Sequence, residues 1–250
     1  MKKIIQIFCC LVLISITACD KEALKLNEQV NASFAVIHAA PGAPTVDIVI
    51  DGLVANGSRR LSYGVLSAGG GTGGGGIYMP IENGTRNIKI SPDSGKTNVV
   101  NSDLLFPANS ASTIVVYDTI AASGAPSLRF VQLSDNLTAP TGTNTHIRFL
   151  HLAPLAPPID VTLIRGTNID SVTLTNRTYL GASPNASSLS TFTPVTGGNA
   201  YTYKIKLAGT QTVVVSGSLT SSLTTGRIVT LAAIGSAKGL SLGVLTARHY

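Results

Sequence analysis

Two stretches of this chain decide its fold: His38-Ala39-Ala40-Pro41-Gly42-Ala43-Pro44-Thr45-Val46-Asp47 and His151-Leu152-Ala153-Pro154-Leu155-Ala156-Pro157-Pro158-Ile159-Asp160. His, Ala, Pro, Ala, Pro and Asp recur in the same places at one offset of 113 residues. A period of that size is a whole domain, far longer than a solenoid or propeller repeat. The chain therefore reads as one unit duplicated. Each copy follows a short strand-like segment, Ser33-Phe34-Ala35-Val36-Ile37 or Ile147-Arg148-Phe149-Leu150. The prolines must end those strands, because proline gives no N–H to a ladder and fixes φ. Small alanines let the chain turn tightly. Asp47 or Asp160 then opens the next strand, placed to accept a hydrogen bond from the His or from the turn's backbone. We read His38, Pro41, Pro44 and Asp47, with His151, Pro154, Pro157 and Asp160, as a structural corner. The functional alternative is a His–Asp catalytic or metal pair, but no recurring Ser, Glu or second His accompanies it in both units.

Away from the corners the dominant period is two. Tyr201-Thr202-Tyr203-Lys204-Ile205-Lys206-Leu207 alternates apolar and polar, as do the segments around Val46, Ile48 and Ile50, around Ile88 and Ile90, and around Val161 and Leu163. Such alternation predicts half-buried antiparallel strands with one wet face. Gly, Pro, Asn and Ser punctuate them at short intervals, which favours sandwiches over βαβ units. No segment outside the amino terminus reads as an amphipathic helix. The duplication extends beyond the corners. Tyr63 matches Tyr179, and Ile88-Lys89-Ile90 matches Ile205-Lys206-Leu207. Ser112-Thr113-Ile114-Val115-Val116 matches Arg227-Ile228-Val229-Thr230-Leu231, and Leu128, Phe130 and Leu133 match Leu240, Leu242 and Leu245. The fold class is all-β: two tandem antiparallel, immunoglobulin-like β-sandwiches over 32–137 and 145–250. The Pro/Gly-bearing linker 138–144 between them is short, so the two should sit close with limited swing.

The corner pattern, a strand ending in His-Ala-x-Pro-x-x-Pro-x-x-Asp and followed by another strand, resembles the bacterial domain-of-unknown-function (DUF) 4397 family. The second copy departs in Leu152, Leu155 and Pro158. The resemblance implies a β-sandwich, often exported, often lipid-anchored and frequently tandem. It implies no mechanism, since the family has no established activity.

The amino terminus supplies an address. Lys2 and Lys3 precede an apolar run from Ile4 to Ile16 and then Thr17-Ala18-Cys19. A cationic start, a short apolar stretch and small residues before a cut describe a secretory signal peptide over 1–18. A transmembrane helix would need about 20 apolar residues. Ile16-Thr17-Ala18-Cys19 looks like a lipobox, with Cys19 as the lipidated residue and 19–31 as a polar tether; several acyl chains on one residue give stable anchoring. Asp20-Lys21-Glu22 resembles part of a surface-export signal, although one acidic residue alone follows Lys21. Cys9 and Cys10 leave with the signal, so the mature chain has no cysteine after Cys19. That excludes disulfides, thiolate zinc sites and Cys nucleophiles.

Composition narrows the function classes. The formal charge is +6, but charged residues are 12% and basic ones are scattered, with Arg59-Arg60 the one adjacent pair outside the signal. A nucleic-acid reader needs a basic stripe, so no nucleic acid is expected. The four histidines, His38, His146, His151 and His249, show no H-x-x-H spacing, and calcium-loop patterns are absent; no metal or cofactor is expected. Gly69–Gly76 formally contains G-x-G-x-x-G but leads into Ile77-Tyr78-Met79-Pro80 instead of a helix, so it reads as a loop. It pairs with the polar segment Gly181–Ser188, and the two together offer a loop-borne recognition surface. Asp118-Thr119-Ile120 and Asp170-Ser171-Val172 match a three-residue O-glycosylation pattern.

The expectation is a non-enzymatic cell-envelope lipoprotein with a structural, adhesive or partner-binding role. It would sit at the outer membrane facing the cell surface, with the periplasmic face as the alternative. Its partners would be the membrane, through the lipid anchor, and a protein or glycan. An accessory polysaccharide-binding lipoprotein is the second reading. The absence of Trp stands against it, since sugars stack on aromatic faces; Tyr63, Tyr78 and Tyr179 could substitute, whereas Tyr201 and Tyr203 look like core. A fimbrial-type subunit assembling by strand exchange is the third.

Overall fold

A computed structural model describes residues 31–67, 77–92, 100–119, 128–167, 170–198, 200–219, 222–235 and 242–249. The signal segment, Cys19, the tether and the Gly69–Gly76 loop lie outside them. Among the described residues the first unit comprises β1 (Asn31–His38), β2 (Asp47–Ile50), β3 (Leu53–Val54), β4 (Val65–Leu66), β5 (Met79–Glu82), β6 (Gly84–Ser91), β7 (Val100–Phe106), β8 (Ala111–Tyr117) and β9 (Arg129–Asp135). The second comprises β10 (Asn144–His151), β11 (Ile159–Arg165), β12 (Asp170–Arg177), α1 (Ala186–Ser190), β13 (Thr193–Thr196), β14 (Tyr201–Leu207), β15 (Val213–Ser218), β16 (Ile228–Ile234) and β17 (Gly243–Arg248).

Four sheets result, in two matching pairs. The order β4-β1-β8-β9, with β5 beside β4 on the same edge of β1, matches β13-β10-β16-β17. The order β3-β2-β6-β7 matches β12-β11-β14-β15. Within each unit the two sheets close on one apolar core: Phe34, Val36, Ile48, Ile88, Ile90 and Ile114 in the first, and Ile147, Phe149, Val161, Ile205, Val229 and Leu231 in the second. Phe34 meets Phe106 edge to face across the first core, 5.8 Å between ring centres.

The expected β-sandwiches are there, with one departure from a purely antiparallel design. β1 runs parallel to β8, and β10 parallel to β16. A parallel pair needs a crossover, and each unit supplies one by sending the chain through its other sheet between the two strands. The strands of these pairs are buried almost throughout, so period two vanishes from them. The reason is a third apolar layer. Ala35, Ile37, Val115, Tyr117, Val131 and Leu133 of the first unit pack against Leu150, Leu152, Ala232 and Ala247 of the second. Alternate residues of one strand thus serve different cores: Phe34 and Val36 the sandwich, Ala35 and Ile37 the seam. The molecule is a four-layer stack with two inner sheets covered on both faces.

The strand registers correct three of the matches read from the sequence. With His38 and His151 superposed, Val116 corresponds to Ala233 and Thr113 to Thr230. Leu133 then corresponds to Ala247, and Ile88 and Ile90 to Tyr203 and Ile205. Each expected match was displaced by two residues. A slip of two keeps every side chain on its face, so the alternating pattern cannot detect it. The segment Gly181–Ser188 also differs from the expected loop: Asn185 caps α1 by accepting from the Ser188 amide at 3.1 Å, and α1 packs against β9 of the first unit.

Candidate functional site

The histidine of the repeated corner is held in the same way in both units. His38 ends β1 with its ring buried, its Nε2–H donating to the Pro44 carbonyl at 3.2 Å while Nδ1 accepts from the Ala40 amide at 3.4 Å. His151 does the same with Pro157 and Ala153, at 3.2 and 3.4 Å. The network assigns the neutral Nε2–H tautomer to each. Burial lowers both pKa values from 6.5, against the opposing pull of the proline carbonyl. With both nitrogens spent inside the loop, neither ring pairs with the Asp of its motif. Gly42 sits at φ +78° and its counterpart Leu155 at φ +63°. The left-handed turn is therefore kept even where a side chain makes it strained.

The two aspartates differ. Asp160 accepts from the Asn176 amide at 2.7 Å and the Gly209 amide at 2.9 Å, and these donors hold its carboxyl below the usual range. It staples the ends of three strands of its sheet. Asp47 instead pairs with Arg60 at 3.1 Å, and Arg60 also reaches the carbonyls of Thr45 and Pro92. Pro41 and Pro44, like Pro154 and Pro157, lie in the loops that follow β1 and β10.

A second constellation, not anticipated from the sequence, lies inside the seam. It draws one residue from each of six segments: Tyr78, Thr113, Asp135, Arg148, Thr230 and His249. Arg148 Nη1 donates to Asp135 Oδ1 at 2.8 Å, and Arg148 Nε to Thr230 Oγ1 at 3.0 Å. With His249 neutral and its Nδ1 protonated, Thr230 accepts from arginine and gives its own hydrogen to His249 Nε2 at 2.7 Å. His249 Nδ1–H then donates to the Tyr78 oxygen at 2.6 Å, and the Tyr78 hydroxyl to Asp135 Oδ2, also at 2.6 Å. Thr113 completes the shell of Asp135 at 2.5 Å. With His249 neutral, the bonds form a closed ring in which each donor meets an acceptor. Burial, helped by Arg148 and opposed by Asp135, pushes that imidazole down to about 4. Burial and Asp135 raise the Tyr78 phenol. Phe192 closes the assembly, its ring centre 4.5 Å from the Arg148 guanidinium carbon and its plane edge-on to His249.

The ring joins the units. Tyr78, Thr113 and Asp135 belong to the first; Arg148, Phe192, Thr230 and His249 to the second. Asp135 and His249 occupy corresponding places after the register correction, as do Thr113 and Thr230. The one sequence signal was Arg148, a charge inside the apolar strand Ile147–Leu150.

The other candidates stand apart from both constellations. Tyr201 is core and donates to the Thr196 carbonyl at 2.6 Å; Tyr203 packs beside it. Tyr117 bonds the Gly181 carbonyl across the seam at 3.0 Å, with Tyr179 against its ring and against His151. Tyr63 is half-buried. His146 and His151 face opposite sides of β10, as their spacing implies. In the glycosylation patterns, Asp118 pairs with Arg129 at 3.1 Å and Asp170 with Arg165 at 3.0 Å; Ile120 lies outside the described residues. Among the described residues no group of three His, Cys, Asp or Glu could hold a metal ion. At one end of the first unit's inner sheet lies an open groove of about 720 Å³, lined by Asn31, Asn109, Ser110, Ser134, Asp135 and Thr138 among others. Ser134 and Asn136 also border a neighbouring hollow of about 360 Å³ beside Phe192.

A family model described as "Domain of unknown function (DUF4397)" matches residues 32–162, which takes in all of the first unit and the second corner. No curated protein matches the chain. Among solved structures, the chain is similar to the Bacillus anthracis TIE protein, at 11% identity and a TM-score of 0.23, over 82% of this chain and 34% of that one. It is also similar to a leucine-rich repeat protein from Bacteroides thetaiotaomicron, at 10% identity and a TM-score of 0.16, over 83% and 26%. The chain thus spans about a third and about a quarter of their lengths.

Proposed function

We infer that this chain, which belongs to the DUF4397 family, is a tandem of two such domains carried on a lipoprotein, serving as a rigid non-catalytic module of the cell envelope. One observation carries the reading. The chemistry-bearing residues are spent on the fold itself: the corner histidines bond their own loops, and the buried Arg, Asp, His and Tyr bond one another across the seam. A catalytic group must meet substrate with a free lone pair or proton. The lipobox at Cys19 supports anchoring to the outer membrane, and the partial export signal supports display at the cell surface over the periplasmic face. The role is structural, adhesive or partner-binding.

Accessory polysaccharide binding is the second reading. It is supported by the groove on the first unit, whose lining is mostly Asn, Ser and Thr and suits a polyhydroxylated chain. The fimbrial reading has the least support, since β1 and β10 already have partners along both edges. Protease shaving of intact cells, with immunoblotting for the carboxy-terminal unit, tests the placement. Loss of the band is the expected result. Protection, in cells where a known surface lipoprotein is cleaved, would contradict outward display and leave a periplasmic scaffold.

A further inference from the structure

We propose that the seam is an acid-sensitive latch: protonation of His249 breaks the buried hydrogen-bond ring and lets the two sandwiches part. The geometry dictates the direction. His249 has one acceptor nitrogen, Nε2, and that atom receives the Thr230 hydroxyl hydrogen. A proton on Nε2 turns an acceptor into a donor, so Thr230 must accept from it and place its own hydrogen elsewhere. The Arg148 Nε–H already points at Thr230, so donors then converge on one oxygen. Thr230 has two lone pairs and can take both bonds, but its own hydrogen then leaves the ring, and the imidazolium stands buried beside the Arg148 guanidinium.

The groups packed around His249 come from every neighbouring element. Tyr78 precedes β5, Thr113 is on β8, Asp135 on β9, Arg148 on β10, Thr230 on β16, and Phe192 lies between α1 and β13. Two of them are charged. Arg148 repels an imidazolium. Asp135 attracts it across 3.9 Å, but already takes bonds from Arg148, Thr113 and Tyr78. An opened seam lets water solvate the imidazolium, which burial forbids. The linker joining β9 to β10 belongs to neither sheet, so a hinge opening within its short reach breaks no strand pairing.

The sign follows from linkage. The closed state holds the imidazole down to about 4, against 6.5 in water, so the open state binds more protons between those values. Closure is fully favoured above about pH 6.5 and weakens as pH falls towards 4. Between pH 7 and pH 4.5 the open population should rise about 50-fold.

Hydrogen–deuterium exchange of the full chain reads this directly, with rates corrected for the intrinsic pH dependence. Protection of the seam strands β8, β9, β16 and β17 should fall by about that factor at pH 4.5, while β6 and β14 in the outer sheets hold theirs. A His249→Gln chain, whose amide can accept from Thr230 and donate to Tyr78 without titrating, should lose the pH step. Unchanged seam protection at pH 4.5 in the native chain would overturn the proposal, and so would equal loss in the outer sheets. Retention of the step by His249→Gln would overturn it as well.

Discussion

Arg148→Met should destabilise the chain by about 3–5 kcal/mol, the usual cost of leaving a buried charge without its partner. The arginine and aspartate side chains are both essentially removed from water. Methionine fills much of the arginine stem's volume, so the loss reports on Asp135, whose carboxylate would keep two hydroxyl donors and no cation. Thr230 would also lose a donor. Urea denaturation checks the value through the shift in midpoint at constant slope. Adding Asp135→Leu should restore part of the loss, because a buried ion pair exchanged for apolar side chains often costs little. A double variant weaker than the single one would show that the two residues do not act as a pair.

Phe149→Ala should cost about 3–5 kcal/mol and Leu150→Ala about 2–5 kcal/mol, through removed apolar contacts and the cavities left behind. The two are adjacent, yet they act on different parts of the molecule. Phe149 points into the core of the second sandwich with Ile147 and Val161. Leu150 points into the seam against the first unit. Hydrogen exchange should therefore show protection lost across β11 and β14 for Phe149→Ala, and across β8, β9, β16 and β17 for Leu150→Ala. The same distribution for both substitutions would mean that the seam is not a separate layer.

This division of adjacent residues between cores also explains what could be read from the sequence. The outer strands were legible because one face is wet, as in Tyr201–Leu207, where Tyr201 and Ile205 are buried and Thr202 and Lys204 are not. The two corners were legible because they demand particular residues: a His to bond the loop carbonyl, prolines to end the strand, and an Asp near the start of the next. The strand-by-strand match was legible to within two residues and no closer, since face-preserving slips look alike. The parallel pairing of β1 with β8 joins strands that lie some 70 residues apart and leaves no local trace. The seam ring was hidden for a related reason. Thr113 and Thr230 look like ordinary strand threonines, and Tyr78 and His249 sit near segment ends. They become a site when six distant segments meet, and Arg148 alone signalled that an apolar strand had a polar appointment.

Calorimetry of the intact chain near neutral pH tests whether the seam makes two sandwiches into one body. A single endotherm is expected, with agreeing calorimetric and van't Hoff enthalpies, and it should split in two for Leu150→Ala. Two independent endotherms in the unsubstituted chain, unmoved by substitution at Leu150 or Arg148, would contradict it.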